Sequence, residues 1–535
     1  MTLKRPLTVF CSVYEKSGLI PLLEPLVRDF QAQIVATGGT AKHLQAAGLP
    51  VIELGSITGF DQLLGGRVKS LHPTVFAALL ASENTGRLPD PALLALPFYL
   101  DVAVVNLYPF EAGYQERISG KPDVDLIELI DIGGVSLIRA AAKNHAHVSI
   151  LTRPQQYEEF LASFKAAKQA ALEQPALACR QRWALEAFRH TAAYDATIAH
   201  ALSETLAIPE PADALPTAMT LPLIQAQPMR YGENPHQAAA LYSLAGKPLP
   251  FRVLQGKALS YNNLLDIDAG WALVREFNDG DQGEIACAII KHNNPCGVAI
   301  SEKSSLEAYS RALEADPVSA FGGIVCLNHP VDEETAKAMA ALFLEVIVAP
   351  GFTPDALAVL SAKKNLRLVT MPLTDVRSDA LPAIKQLGGG LFLAQKRLLN
   401  SSEENVPQSL SIPTRCQPSP ELLEDLRLGW KVAKHVKSNA MVLVKEGQTV
   451  GIGGGQTSRI GALELALNQA CDAAKGAALA SDGFLPAVDN VYAAAQARVG
   501  AIIQPGGSIK DPEVIALADQ LNLPMVFTGV REFKH

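Results

Sequence analysis

One segment of the chain joins a buried strand pattern directly to a lysine and a histidine. Residues 285–290 read IACAII, and Lys291 and His292 follow at once. A cation and a base that titrates near neutral pH suit acid–base chemistry at a strand end, where α/β sheets bind ligands. Neighbouring strand residues point to opposite faces, so both side chains reach one site only if the chain is already turning. The alternative is a capping lysine beside an exposed histidine.

Two glycine-containing segments nearer the start combine hydroxyl groups and cations. Residues 37–40 read TGGT between a strand pattern and a helix pattern, which makes them a candidate phosphate cradle of backbone N–H groups and two hydroxyls. A plain tight turn with an N-cap threonine would look the same. Residues 65–73 read GGRVKSLHP and gather two cations, a hydroxyl and a histidine. A solvated basic loop is the alternative there.

A third group lies on one predicted helix. Asp131 precedes two glycines and the helical run VSLIRAAAKNH, which carries Lys143. Twelve residues separate the two side chains, or roughly 18 Å along a straight helix, so they share a site only if the segment bends or breaks. Otherwise Lys143 is a favourable cation near a helix C-terminus. Residues 230–237, RYGENPHQ, are dense in polar donors and read as a binding loop.

These groups need a framework, and the hydrophobic pattern predicts one of alternating strands and helices. Apolar strands separated by amphipathic helices indicate a parallel sheet covered on both faces in the first third of the chain. Residues 155–206 read as helix almost throughout, and prolines at 209, 211, 216, 222 and 228 then mark a boundary. Later segments alternate again but show no sequence repeat, although similar architecture in them remains open. The predicted strands of the first third are residues 7–13, the run QIVATGG, 101–110 and 147–152.

Composition narrows the class of protein. The 535 residues are 48% hydrophobic and 19% charged, which is ordinary for globular domains and enough for several cores. A net charge of −8 argues against a nucleic-acid coat or a polybasic membrane binder. The N-terminus lacks the pattern of a signal peptide, and no run is long enough to span a membrane. Seven scattered cysteines without CxxC are typical of reduced thiols, so we expect a cytoplasmic protein.

Several standard motifs are missing. The sequence has no GxxxxGK[ST], so no P-loop ATP site is expected. The run GIGGGQTSRIG at 451–461 lacks the third glycine of a dinucleotide motif and reads as a backbone-lined turn. Asn294-Pro295-Cys296-Gly297 matches half of a deaminase zinc motif, but Ala299 stands where the second cysteine would be. We therefore predict no zinc.

Taken together and in order, the motifs resemble one family. GGRVKSLHP, NLYPF, DIGGVSLIRAAAKNH, RYGENPHQ, LQGKALSYNNL, KHNNPCG, SDGFLPAVDN and REFKH look like those of the bifunctional AICAR formyltransferase/IMP cyclohydrolases of purine biosynthesis. The resemblance implies formyl transfer from 10-formyltetrahydrofolate to the 5-amino group of AICAR, followed by cyclisation of formyl-AICAR to IMP with loss of water. It also implies a homodimer with formyltransferase sites shared across the interface, and neither ATP nor zinc as a cofactor.

The resemblance implies an α/β protein in several parts. A methylglyoxal-synthase-like parallel-sheet domain would hold the cyclohydrolase, and two cytidine-deaminase-like α/β units lacking zinc would hold the formyltransferase. The expected bounds are 1–206 for the first domain, 207–228 for a linker, and 229–400 and 401–535 for the two units.

It also assigns residues, each by its match to a family motif. The transferase pair is Lys291 and His292. The remaining groups are Lys69, Tyr108, Asp131 and Lys143 for cyclisation; Ser12, Lys16, Thr37, Gly38, Gly39, Thr40, Arg67 and Ser70 for the cyclohydrolase phosphate pocket; and Arg230, Tyr231, Asn263, Asp316, Phe484 and Arg531 for nucleotide binding by the transferase.

A few positions depart from the family pattern. Leu398 and Leu399 follow the QxR motif where Asp or Asn is common, and Leu485 and Ala487 replace aromatic residues. We expect the latter two to loosen the substrate pocket locally. Two rival interpretations remain open: a regulatory domain that binds an effector at 37–40, and a transferase with a vestigial cyclohydrolase. A pure sensor has no need of Lys69, Tyr108 and Asp131.

Overall fold

The computed structural model describes twelve stretches of the chain, which divide into two compact units. Unit 1 comprises Met1–Gln225 and Tyr242–Pro248, and unit 2 comprises Ala226–Leu241 and Leu249–His535. No helix in the described stretches is long and apolar enough to cross a membrane. The described residues are 6–59, 64, 68, 70–81, 99–121, 124–172, 174–206, 215–245, 247–278, 283–373, 382–396 and 410–535.

Unit 1 is built on a parallel sheet of five strands in the order β3-β2-β1-β4-β5. The central strand β1 is buried except at its last residue, as its continuous apolar run predicts for a sheet covered on both faces. The strands are β1 (Thr8–Ser12), β2 (Gln33–Ala36), β3 (Val51–Glu53), β4 (Val102–Val105) and β5 (Ser149–Leu151).

Helices cover this sheet, and two of their bounds differ from the sequence prediction. The predicted strand 101–110 ends at Val105, and Pro109 is the N-cap of the helix that begins at Phe110. The predicted helix 155–206 is two helices, with Pro175 lying in the break between them. The helices are α1 (Leu19–Phe30), α2 (Gly38–Ala46), α3 (Leu54–Thr58), α4 (Pro73–Leu80), α5 (Phe110–Ile118), α6 (Gly133–Lys143), α7 (Tyr157–Gln169) and α8 (Leu177–Thr205).

Residues near the unit boundary form a two-stranded sheet of β6 (Leu223–Met229) and β7 (Ala239–Leu244). The expected linker 207–228 therefore ends inside a strand. Its residues 207–214 lie outside the described part of the chain.

Unit 2 is organised around one sheet of eleven strands, which joins the two segments expected as separate parts. Its order is β20-β19-β18-β16-β17-β10-β9-β11-β12-β13-β8. The strands are β8 (Arg252–Gln255), β9 (Ile285–Lys291), β10 (Asn294–Ser301), β11 (Ile324–Leu327), β12 (Val346–Ala349), β13 (Arg367–Thr370), β16 (Met441–Lys445), β17 (Gln448–Gly453), β18 (Ala478–Ser481), β19 (Ala501–Gln504) and β20 (Met525–Phe527), with β14 (Ala383–Gln386) and β15 (Phe392–Gln395) forming a separate hairpin.

The helices of unit 2 alternate with these strands along the chain. They are α9 (Tyr261–Val274), α10 (Ser305–Ala315), α11 (Pro317–Ala320), α12 (Glu333–Ala340), α13 (Pro354–Leu360), α14 (Pro420–Ala433), α15 (Arg459–Ala470), α16 (Asp489–Gln496) and α17 (Asp511–Gln520).

The two halves of unit 2 repeat one topology that the sequence does not reveal. The first half runs α9-β9-β10-α10-β11-α12-β12-α13-β13, with the short α11 after α10, and the second runs α14-β16-β17-α15-β18-α16-β19-α17-β20. In each, the first two strands form a hairpin, the third pairs antiparallel with the first, and the last two add in parallel. The halves meet where β10 pairs with β17 at Ala299 and Gln448.

Close contacts between helix and strand occur at matching places in the two halves. A Cβ added to Gly297 on β10 would lie 2.0 Å from the carbonyl oxygen of Ala312 on α10. The same atom on Gly451 of β17 would lie 2.1 Å from the carbonyl oxygen of Ala466 on α15. Both obstacles are backbone atoms, so only glycine allows these helices to pack as closely as they do.

Replacing one of these glycines should destabilise unit 2. Gly451→Ala forces the helix and strand apart, and we expect a loss of about 1–3 kcal/mol, the usual cost of overpacking a core. Denaturant unfolding followed by tryptophan fluorescence measures this. Gly351→Ala is the control, because a Cβ there meets nothing within 4 Å. Equal midpoints for the two variants would contradict the packing argument.

Candidate active sites

The predicted phosphate pocket of unit 1 lies where the strand order reverses. The strand β1 lies between β2 and β4, and the connections to these two strands run to opposite sides of β1. In sheets of this kind a crevice forms at the carboxyl ends of the strands. Ser12 ends β1, and Thr37 follows β2 as the N-cap of α2. The Thr37 hydroxyl donates to Ser12 Oγ at 3.1 Å. Gly38 and Gly39 begin α2, so their N–H groups have no partners within the helix.

Thr40 differs from the other residues of this group. Its side chain is buried, and its hydroxyl exchanges hydrogen bonds of 3.1 Å with the backbone N–H and carbonyl of Val13. The hydroxyl therefore joins α2 to the loop after β1. Thr40 was predicted to contact phosphate, but its hydroxyl proton is already donated to the Val13 carbonyl in this arrangement.

Asn106, just after β4, holds the loop that carries Lys16. Its Oδ1 accepts from the backbone N–H groups of Tyr14 at 2.6 Å and Glu15 at 3.2 Å, and its Nδ2 donates to the Glu15 carbonyl at 2.9 Å. The Lys16 ammonium donates to the Tyr14 carbonyl at 3.2 Å. Lys16 thus lies beside the end of β1, as its assignment requires.

Asp131 and Tyr108 are neighbours at the start of α6. Asp131 Oδ1 accepts from the backbone N–H of Gly134 at 2.6 Å. Burial raises the pKa of the Asp131 carboxyl, although backbone hydrogen bonds from Gly134 and Tyr108 oppose the shift. Burial and the charge of Asp131 raise the pKa of the Tyr108 phenol. The phenol therefore keeps its proton at neutral pH and is suited to donate it.

The structure does not bring Lys143 to this pair. Helix α6 runs without a break from Gly133 to Lys143, so Asp131 and the exposed Lys143 lie at opposite ends, about 15 Å apart along the axis. The bend that a shared site requires is absent from this helix. Ser70 is buried beside Gly133, and Arg67 and Lys69 lie outside the described residues.

In unit 2, the chain turns as the predicted pair requires. Lys291 ends β9 and pairs with Asn294, so His292 and Asn293 form a two-residue hairpin turn. Their φ values are 53° and 62°, the signature of a type I′ turn. The turn leaves His292 exposed at the end of a buried strand.

Two more polar groups surround Lys291. Its ammonium donates to the carbonyl of Phe321 at 2.8 Å. Burial raises the pKa of the nearby Cys296 thiol to about 12; the charge of Asp316 adds to this and that of Lys291 opposes it. Asp316 caps α11, and its Oδ2 accepts weakly from Gln469 at 3.4 Å. Lys291, Cys296 and Asp316 thus belong to one cluster, in which the thiol stays protonated.

The other predicted nucleotide-binding residues are distributed over four segments. Asn263 is buried in a reciprocal cap with Ser260 at the start of α9, so its Oδ1 is already used. The guanidinium of Arg230 lies 5.6 Å from the ring centre of Tyr231. Phe484 is 40% exposed, and the guanidinium of Arg531 lies 4.5 Å from the ring centre of Phe533.

Hydrogen bonds tie the C-terminal segment to the neighbourhood of the turn. Asn294 Oδ1 accepts from the backbone N–H of Lys437 at 3.3 Å. The next residue, Ser438, donates its backbone N–H to the carbonyl of Lys534 at 2.9 Å. Both halves of unit 2 and the segment carrying Arg531 therefore contribute to this region.

Comparison with known proteins identifies the family. The model of the AICARFT/IMPCHase bienzyme family matches residues 141–469, and that of the MGS-like domain matches residues 18–136. The chain is 47% identical to the bifunctional purine biosynthesis protein PurH of Synechococcus elongatus, over 99% of this chain and all of that protein. The proteins of the same name from Desulfitobacterium hafniense and Bacillus cereus are 46% and 43% identical, each over 98% of this chain and 99% of their own length.

The chain belongs to the AICARFT/IMPCHase bienzyme family. It is a bifunctional enzyme of purine biosynthesis that combines an AICAR formyltransferase with an IMP cyclohydrolase. The predicted family and function are confirmed, and so is an MGS-like N-terminal α/β domain with a parallel sheet.

Sequence reasoning missed several residues that support the two bienzyme sites. Tyr194 of α8 accepts from the backbone N–H of Asp131 at 2.8 Å and donates to the Leu129 carbonyl at 2.7 Å. Arg459 is buried, donating to Asn439 Oδ1 at 2.8 Å and Ser481 Oγ at 2.8 Å. No local pattern marks these contacts, although Asn106 falls within the NLYPF motif and could have been noticed.

The positions that depart from the family pattern have different surroundings. Leu485 is fully buried in a hydrophobic core, and its backbone N–H donates to Gln504 at 2.9 Å. The side chain of Leu485 thus packs in the interior, and the expected loosening of a pocket stays a prediction. Ala487 is exposed. Leu398 and Leu399 lie outside the described residues.

Removing the Tyr194 hydroxyl should destabilise unit 1. Tyr194→Phe leaves the Asp131 N–H and the Leu129 carbonyl without their partner, and we expect a loss of about 1–3 kcal/mol. Tyr309→Phe is the control, since the buried Tyr309 hydroxyl has no partner among the described residues and its removal should cost little. Denaturant unfolding measures both. A loss in the control as large as in Tyr194→Phe would contradict the account.

Proposed function

We propose that unit 1 carries the cyclohydrolase and unit 2 the formyltransferase. The proposed bounds are 1–206 for the cyclohydrolase domain, 207–228 for the linker, and 229–400 and 401–535 for the two formyltransferase units. The MGS-like match falls within unit 1, which supports the first assignment. The repeated topology of unit 2 supports two related units, which we propose to be cytidine-deaminase-like. Zinc-free chemistry is part of the proposal, because Ala299 stands where the deaminase motif needs a second cysteine.

In the transferase, His292 acts as the base and Lys291 stabilises the oxyanion. The 5-amino group of AICAR attacks the formyl carbon of 10-formyltetrahydrofolate, and His292 removes the proton as the N–C bond forms. The tetrahedral intermediate carries negative charge on its oxygen, which the Lys291 ammonium offsets. Collapse expels tetrahydrofolate, whose nitrogen takes up a proton. The observation that carries this proposal is the hairpin turn, which exposes His292 immediately beyond Lys291.

Nucleotide recognition falls to charged and aromatic groups around that turn. Arg230 and Arg531 are exposed guanidinium groups suited to a phosphate. Tyr231 and Phe484 offer ring surface for stacking, and Asp316 offers carboxylate oxygens for hydroxyl or amine groups. For Asn263 only the amide nitrogen is left to contact a ligand, because Ser260 uses its oxygen.

In the cyclohydrolase, the phosphate of formyl-AICAR binds at the N-terminus of α2. The N–H groups of Gly38 and Gly39 and the hydroxyl of Thr37 face that position, and Ser12, Lys16, Arg67 and Ser70 complete the pocket. The carboxamide nitrogen attacks the formyl carbon and water leaves. Tyr108 and Asp131 transfer the protons during this step, and Lys69 stabilises the oxyanion. Among the described residues, Lys143 has no contact that supports a part in this step.

Exposed apolar residues on one hairpin support a homodimer. The strands β14 and β15 form a two-stranded sheet of their own, which is marginally stable in water without further packing. The exposed fractions of Leu391, Phe392 and Leu393 are 64%, 63% and 57%. A second copy of the chain would cover this surface in a symmetric pair. Because the cysteines are scattered free thiols, we also propose a cytoplasmic location.

The transferase assignment is tested by replacing the base. His292→Ala should lower kcat for formyl transfer by about 100-fold or more, the usual contribution of a general base. Cyclisation of preformed formyl-AICAR should be unchanged, because it occurs in the other unit. Tetrahydrofolate release and IMP formation are followed separately by absorbance.

The repeat offers a matched control for this test. Glu446 occupies the place of His292 in the second half, as the first residue of the turn between β16 and β17. Glu446→Ala should therefore leave formyl transfer intact. Undiminished transfer in His292→Ala, or an equal fall in Glu446→Ala, would refute the assignment of the base.

The dimer is tested by placing a charge on the exposed hairpin. Phe392→Asp should convert the protein to monomer in sedimentation velocity, because a carboxylate is costly to bury in an apolar interface. Formyl transfer should fall with dissociation if sites are shared, while cyclisation persists. Ile509→Asp is the control, since Ile509 is 97% exposed and isolated. A Phe392→Asp protein that sediments like the wild type would contradict this interface.

A further inference from the structure

We propose that Asp266 is a positioning residue for formyl transfer, whose carboxylate holds the His292–Asn293 turn and so sets the direction of the His292 side chain. The inference rests on the proposed role of His292 as the base. It concerns a residue on a different element, α9, that the motif comparison did not single out.

The contacts of Asp266 are aimed at the turn. Its Oδ1 accepts from the backbone N–H of Asn293 at 2.6 Å. With the Asn293 amide oriented so that its nitrogen faces acceptors, that nitrogen lies 3.2 Å from Asp266 Oδ1 and 3.0 Å from the Leu265 carbonyl. One helical turn of α9 thus binds both the backbone and the side chain of Asn293.

The turn needs such support because of its backbone conformation. His292 and Asn293 both have positive φ, a region that is unfavourable for residues other than glycine. Asparagine tolerates it better than histidine does. Hydrogen bonds to a fixed carboxylate offset that cost and remove the freedom that a strained two-residue loop would otherwise have.

The second half of unit 2 repeats this anchor. Asp425 occupies the sixth position of α14, as Asp266 does in α9. Its carboxylate accepts from the backbone N–H groups of Glu446 at 2.8 Å and Gly447 at 2.7 Å, and these two residues form the turn between β16 and β17 with φ values of 52° and 75°. Burial raises the pKa of both the Asp266 and Asp425 carboxyls, and the turn's backbone hydrogen bonds oppose it.

The lysine before each turn is repeated as well. Lys445 ends β16 and donates to the carbonyl of Lys475 at 3.0 Å, as Lys291 ends β9 and donates to that of Phe321 at 2.8 Å. Each carbonyl lies three residues before the next strand of its half. The frame of helix aspartate, strand lysine and hairpin turn is therefore common to both halves. The two frames differ in the residues of the turn, which are His292 and Asn293 in one and Glu446 and Gly447 in the other.

Because both halves have this frame but only one has a histidine in its turn, comparing them distinguishes a structural role of the aspartate from a role in formyl transfer. If Asp266 only stabilised the fold, its loss should resemble the loss of Asp425. If it orients the base, its loss should lower the transfer rate beyond any effect on stability, since a displacement of about 1 Å costs roughly 100-fold in rate.

The test is a set of variants of the full-length protein. Asp266→Ala removes the acceptor, and kcat for formyl transfer should fall about 10–100-fold with KM for AICAR changed by less than about threefold. Asp266→Asn keeps an oxygen that accepts from the Asn293 N–H, so it should restore kcat to within about fivefold of wild type. Asp425→Ala should lower the unfolding midpoint and leave kcat unchanged. The cyclisation activity of each variant is measured as a control, because unchanged cyclisation shows that the protein is folded.

A second variant covers the case in which Asp266→Ala does not fold. If Asp266→Ala is not recovered folded, Asp266→Ala/Asn293→Gly is measured instead, because glycine relieves the left-handed backbone while leaving the turn unanchored. The same fall in kcat is expected.

Three results would overturn the inference. They are a folded Asp266→Ala protein (or its double variant) with wild-type kcat, an Asp266→Asn protein as slow as Asp266→Ala, and an Asp425→Ala protein as slow in transfer as Asp266→Ala. Failure of the proposed function is distinguishable, because it appears as undiminished transfer in His292→Ala. Loss of transfer in His292→Ala together with full activity in Asp266→Ala would reject the positioning role alone.

Discussion

The contact of β10 with α10, together with its counterpart between β17 and α15, determines how unit 2 is built. Gly297 and Gly451 bring backbone against backbone at the centre of an eleven-stranded sheet. Each glycine follows an irregularity in its hairpin, where the pairing register shifts by one residue. The register in turn decides which residues form the turn. The turn that exposes His292 lies at the end of this same hairpin.

The two units solve the problem of placing polar groups in different ways. Unit 1 uses the carboxyl ends of parallel strands, where Ser12, Thr37 and Asn106 come together because their strands are neighbours. Unit 2 uses an antiparallel hairpin whose turn projects His292, the proposed base, beyond the sheet. In both, a half-buried side chain on a helix holds the backbone of the other segment: Tyr194 for the Asp131 segment and Asp266 for the His292 turn.

The sequence was sufficient to predict features that depend on local pattern. The alternation of strands and helices in unit 1 is confirmed. Thr37 is the N-cap of α2, which the sequence offered as the alternative to a phosphate cradle, and the chain turns at His292, which was the condition for Lys291 and His292 to share a site. Features that depend on distant partners were not predictable. Thr40 looked like a free hydroxyl but bonds to Val13, and no local pattern links Tyr194 to Asp131, 63 residues away. The similar architecture of the two halves of unit 2 stayed open at the level of sequence, because the repeat lies in topology and hydrogen bonding while the side chains differ.

The tie between Ser438 and the carbonyl of Lys534 also bears on synthesis of the protein. A ribosome adds residues from the N-terminus, so unit 1 is complete once about 250 residues have been made, whereas β20 and residues 531–534 emerge after nearly all of the groups that they contact. At roughly 5–20 residues per second, this delay lasts on the order of 15–60 s. During that time the eleven-stranded sheet of unit 2 is incomplete. Nascent unit 2 is thus the part of this enzyme with most need of protection from aggregation.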